Sequence, residues 1–153
     1  MKSNEFKDGF NYWLYLAWLM AILATFGSLY LSEILGWTPC KLCWFQRIFM
    51  YPLTVLLGIA CFRNDRQIAL YVLPLSIVGG LISAYHYAEQ HIQALQNQTF
   101  CGQGVSCSQK YFEAFGFITI PFLAFIAFAC ISLFVTIDYR NDKKQSGSRR
   151  NKL

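Results

Sequence analysis

Residues 12–31 read YWLYLAWLMAILATFGSLYL, twenty residues from Tyr12 to Leu31 without a charge. About 20 mainly apolar residues cross the hydrocarbon of a bilayer as a helix, because every backbone polar group must be satisfied within the segment. Three further stretches repeat the signal: Ile48 to Phe62, extended backwards by Leu42 to Arg47; Ile68 to Tyr85; and Ala114 to Ile137. The first run is too long for a signal-peptide core and lacks a small-residue cleavage site, so it is expected to stay as an anchor. These runs predict an all-α integral membrane four-helix bundle.

Composition agrees. Of the 153 residues 56% are hydrophobic and only 14% charged, against about 25% charged in a soluble domain. The mean hydropathy is +0.35. Residues 1–140 form one membrane domain in this reading. Residues 141–153, short of apolar side chains, are expected to be a disordered basic tail.

The net charge of +5 is unevenly placed. Arg140, Lys143, Lys144, Arg149, Arg150 and Lys152 crowd the last fourteen positions. No basic stripe with interleaved aromatics accompanies them, so nucleic acid is not an expected partner. With Lys2, Lys7, Arg63 and Arg66 they make ten basic residues on one side, against Lys41, Arg47 and Lys110 on the other. Basic residues accumulate on the cytoplasmic side. Both termini are therefore expected in the cytoplasm.

That orientation sorts the six cysteines. Cys40, Cys43, Cys101 and Cys107 fall in the extracytoplasmic connections, where disulfides form and persist. Cys61 and Cys130 fall within spans and read as small apolar residues. Cys40-Lys41-Leu42-Cys43 opens a helix, with Thr38 as the expected N-cap and Pro39 at the first helical position. Amide groups and the helix dipole favour a thiolate there. Arg47 follows one turn after Cys43, on the face shared by positions 40, 43 and 47. An arginine at that depth is costly unless it faces a polar cavity or snorkels to the headgroups. Its functional reading is to stabilise a thiolate or charge developing on a redox cofactor. Gln46 beside it is a candidate hydrogen-bond donor to a cofactor carbonyl.

Cys101 and Cys107 flank a loop with two glycines, which makes an intramolecular disulfide easy. The pair alone reads as a loop staple. Beside the first pair, electron transfer by thiol–disulfide exchange becomes the better reading. A four-thiolate zinc site is the alternative, but the five-residue spacing and the oxidising side disfavour it, and no metal is expected. His86, Glu89 and His91 lie where the third span emerges without forming a metal-ligand face; His86 is a candidate for the cavity that holds Arg47.

The run Thr38-Pro39-Cys40-Lys41-Leu42-Cys43-Trp44-Phe45-Gln46-Arg47 resembles the signature of the disulfide bond formation protein B (DsbB) family. Tyr85-His86 ending the third span and Ile120-Pro121 opening the fourth extend the likeness over residues 10 to 140. The short outer loop is most similar to the Gram-positive, BdbC-like branch. The resemblance implies a bacterial cell-membrane thiol:quinone oxidoreductase. A thioredoxin-like extracytoplasmic thiol oxidase of the DsbA or BdbD kind would be reoxidised at Cys101–Cys107. Electrons would then pass to Cys40–Cys43 and on to ubiquinone or menaquinone from the membrane pool. It further implies that Cys43 lies nearest the quinone and that Arg47 stabilises the charge developing there. Gram-negative relatives hold their loop cysteines far apart, so their loop rearrangement does not carry over to a five-residue spacing. Vitamin K epoxide reductase-like proteins place the Cys-x-x-Cys late in a span, unlike this chain.

Overall fold

A computed structural model describes residues 12–36, 38–92 and 119–150. Its long helices are α1 (Tyr12–Glu33), α2 (Lys41–Arg63), α3 (Ala69–His91) and α4 (Ile120–Arg150), with a 3-10 turn at Arg66–Ile68 between α2 and α3. All four are long and apolar enough to span a membrane. No strand occurs among the described residues.

Each helix packs against two neighbours, closing a ring in the order α1, α2, α3, α4 and back to α1. The surface is apolar like the core, unlike that of a soluble bundle, and polar side chains are buried among apolar ones. Phe26, Val55, Phe62 and Leu81 face outwards, while Gln46, Ser76, Ser83, His86 and Glu89 are buried. Lipid tails are as apolar as leucine, so helices here associate through close packing and interhelical hydrogen bonds. Ala17, Ala21, Ala60 and Gly79 supply the small surfaces. Ser76 Oγ donates to the Phe128 carbonyl at 2.9 Å, and Trp18 Nε1 to the Thr54 carbonyl at 3.2 Å.

The glycine pair in the third span marks the tightest approach. A Cβ on Gly79 would stand 2.5 Å from the Phe128 ring, whereas one on Gly80 would make ordinary contact at 3.5 Å. Helices α2 and α3 run through Pro52 and Pro74 without interruption. Helix α2 stops at Asn64, which adopts φ 52° and returns its N–H to the Ala60 carbonyl. Asparagine tolerates that left-handed conformation better than most residues.

Two boundaries differ from the expectation. Helix α3 continues past Tyr85 to His91 and buries His86, Glu89 and Gln90. These polar side chains ended the apolar run but have partners inside the bundle. Helix α4 continues to Arg150 rather than giving way to irregular chain after residue 140. The segment contains no proline to stop it, and basic side chains suit a helix C-terminus.

Candidate functional site

The end of the bundle where α2 begins holds a cavity of about 480 Å³. Residues from all four helices line it. The Thr38–Pro39 lead-in places Cys40, not Thr38, at the N-cap: its backbone is extended at φ −69°, ψ 172°, and Lys41 is the first helical residue. The Cys40 sulfur takes the place of a capping oxygen and accepts from the Cys43 N–H at 3.4 Å. One helical turn then brings the Cys43 sulfur to 3.0 Å from that of Cys40.

Helix α3 reaches the pair from the side. His86 Nε2 lies 3.6 Å from the Cys40 sulfur, and His86 Nδ1 lies 3.2 Å from Nε2 of Gln46. Both His86 and Gln46 are buried. The two sulfurs and one imidazole nitrogen fall within 4.8 Å of one another. The Cys40 thiol is pulled down from its ordinary 9.0 to about 4. The largest cause is the hydrogen bond with the Cys43 thiol; burial opposes it, and the hydrogen bond with His86 reinforces it. A carboxamide N–H aimed at Nδ1 leaves that nitrogen as the acceptor, so the ring proton sits on Nε2 and points at Cys40.

Arg47 lines the same cavity but does not reach either sulfur. Its Nε donates to Ser28 Oγ at 2.8 Å and one terminal nitrogen donates to the Ser28 carbonyl at 3.0 Å. The guanidinium also lies 5.9 Å from the Trp44 ring centroid. Its hydrogen bonds thus go to α1, while its charge acts on the Cys43 thiol. The Gln46 carboxamide meets His86. The structure therefore gathers Cys40, Cys43, Gln46, Arg47 and His86 around one cavity. Cys101 and Cys107 lie outside the described residues. Cys61 and Cys130 sit in α2 and α4, away from the cavity lining.

Ser28 was not legible as a site residue, since a lone serine in an apolar run carries no motif. Its only sequence signal is the need of Arg47 for an acceptor at that depth. Away from the polar end, the walls are apolar: Met20, Leu23 and Ala24 on α1, Leu123 and Ala127 on α4. Leu23 and Leu123 are about half exposed on the outer surface, so the cavity opens towards lipid between these helices.

Known proteins bear on this arrangement. The family model for disulfide bond formation protein DsbB matches residues 10–137, including every residue of the cavity. This chain belongs to the DsbB family. Disulfide bond formation protein C of Bacillus subtilis (strain 168) is 51% identical over 124 residues, covering 81% of this chain and 90% of the relative. A probable disulfide formation protein of Coxiella burnetii is 47% identical over 136 residues, 88% of this chain and 92% of that one. Probable disulfide formation protein C 1 of Bacillus cereus is 49% identical over 132 residues, 86% and 94% of the two chains. No solved structure matches the chain significantly. Membership in the DsbB family places the chain among multi-pass membrane proteins that act in disulfide bond formation.

Proposed function

We propose that this chain is a thiol:quinone oxidoreductase that reoxidises a thioredoxin-like thiol oxidase outside the membrane and passes the electrons to a membrane quinone. The observation that carries the reading is the Cys40–Cys43 pair set into the wall of a cavity with one polar end and a lipid-facing apolar end. A quinone has the matching chemistry: a ring with two carbonyl oxygens and an apolar tail. When bound, it would supply an acceptor for two electrons and two protons.

The chain's own residues supply the rest. Cys43 faces the cavity and is poised to form a disulfide with Cys40. Ser28 holds Arg47 by two hydrogen bonds, which fixes the guanidinium in the cavity wall without neutralising it. Among the described residues its Nη1 has no hydrogen-bond partner, leaving charged N–H donors for a carbonyl oxygen. Cys101 and Cys107 would accept electrons from the partner first, on the extracytoplasmic side implied by the basic residues. Ubiquinone and menaquinone both fit this scheme.

The test uses purified protein in detergent with a reduced thioredoxin-like partner and ubiquinone or menaquinone analogues, following quinone absorbance. Loss of quinone with stoichiometric oxidation of the partner is expected. No reduction of either analogue by folded protein would overturn the reading. Arg47→Met is expected to weaken quinone use about tenfold or more, since hydrogen bonds to charged groups contribute about 1.5–3 kcal/mol. The Michaelis constant for quinone should rise while membrane insertion is unchanged. Unaltered quinone affinity and turnover in that variant would remove Arg47 from the site.

A further inference from the structure

We propose that Gln46 is a positioning residue: its carboxamide holds the His86 ring with Nε2–H directed at the Cys40 sulfur, so that the ring serves that sulfur as a fixed hydrogen-bond donor in the reduced pair. The inference rests on the reading of Cys40 and Cys43 as a redox pair. It assigns Gln46 a role different from that of a donor to a bound cofactor.

The geometry is a chain of three groups across two helices: Gln46 Nε2, 3.2 Å from His86 Nδ1, and His86 Nε2, 3.6 Å from the Cys40 sulfur. Gln46 is 6% exposed and His86 1%. Buried polar groups are held to their partners because losing one costs the full desolvation of the other. The ring therefore cannot turn over without leaving both nitrogens mispaired. An amide N–H can only donate, so it selects the imidazole tautomer with its proton on Nε2. That proton is the one a Cys40 thiolate can accept.

The other charged and titratable groups around Cys40 do not replace this contact. From α2, the Cys43 sulfur is in hydrogen-bond contact with that of Cys40, Arg47 is engaged with Ser28, and Lys41 points outwards. From α3, Glu89 interacts electrostatically with both His86 and Cys40 and opposes a charge on the sulfur. Helix α1 contributes Tyr30 to the cavity wall, and α4 contributes no titratable group among the described residues. Among the described residues His86 is thus the one basic side chain in contact with Cys40, and Gln46 is what orients it.

The measurement is the pH dependence of Cys40 alkylation in the fully reduced full-length protein, read site by site by peptide mass spectrometry. Cys40 and Cys61 are equally buried, but only Cys40 lines the cavity through which the reagent enters, so protection of Cys61 reports that the bundle is intact. Wild-type Cys40 should react down to acidic pH. In Gln46→Met the midpoint should rise by about one pH unit, which is about a tenfold loss of thiolate on the acidic side of the profile. His86→Phe should shift it at least as far, and the double variant no further than His86→Phe alone, because Gln46 acts through His86. In Gln46→Leu, which likewise removes the donor to Nδ1, the midpoint should rise as in Gln46→Met, and this variant carries the comparison should Gln46→Met lose Cys61 protection. A Gln46→Met or Gln46→Leu profile that coincides with wild type, or additive shifts in the double variant, would each overturn the proposal. Quinone reduction by the wild-type protein is measured alongside. Its absence with these alkylation shifts intact would refute the quinone reading and leave the role of Gln46 standing.

Discussion

Cys43→Ser is expected to abolish partner-driven quinone reduction, a loss of about a thousandfold or more, as removal of a redox or nucleophilic side chain typically produces. The sulfur pair stands 3.0 Å apart at the first turn of α2, and no other described cysteine lines the cavity. Serine cannot form the disulfide but still presents a donor to Cys40. Alanine cannot. The two variants should therefore be equally inactive while differing at Cys40. Because the Cys43 thiol is the largest cause of the lowered Cys40 pKa, Cys43→Ala should raise the midpoint of Cys40 alkylation well above about 4, and Cys43→Ser should raise it less. Turnover retained in either variant would exclude the pair from the electron path.

The same group makes stability depend on pH in the reduced protein. Its folded pKa, about 4, lies below the ordinary 9.0. The folded state then binds fewer protons at Cys40 than the unfolded state between these values. Its contribution to stability is complete above about 9 and is lost as pH falls towards 4. Thermal unfolding of the reduced protein, compared with Cys40→Ser, should show the difference between the two growing as pH rises through that window. A pH-independent difference would contradict a thiolate at Cys40.

The second large effect is expected at Gly79, far from any sulfur. A β-carbon there would meet the Phe128 ring at 2.5 Å, and Phe128 is itself buried on α4. Neither helix backbone is free to move, because Ser76 is bonded to the Phe128 carbonyl and to Ser132 close by. Overpacking of a well-filled core costs about 1–3 kcal/mol and more when the obstacle cannot rotate away. Gly79→Val should lower the unfolding midpoint in detergent sharply and cut the yield of folded protein, and Gly79→Ala should do so more mildly. Gly80→Ala, with ordinary contact at 3.5 Å, is the control and should behave as wild type. Equal stability for the alanine variants at 79 and 80 would mean that α3 and α4 do not meet here.

Much of this protein is written locally. Spanning length, apolar composition and the run from Thr38 to Arg47 are properties of consecutive residues, and a bilayer tolerates few other structures for them. The four helices and the Cys-x-x-Cys at a helix start are legible for that reason. Where polarity interrupts an apolar run, the reading stopped early: α3 continues through Glu89 and Gln90, which the packing of the bundle, not the local chain, buries. The same holds for the caps, since Cys40 displaced Thr38 only through the turn its own sulfur closes.

What the sequence determined by itself was the set of helices, the membrane as their solvent and the residues capable of redox chemistry. Which of these touch was decided only by the tertiary structure. Cys40 and His86 are 46 positions apart, Gln46 and His86 are 40 apart, and Arg47 finds Ser28 across 19. Periodicity places each side chain on a face of its own helix, but the rotation of one helix against another is fixed by the packing of small residues and buried hydrogen bonds between them. Those interhelical contacts gave His86 to Cys40 and Ser28 to Arg47.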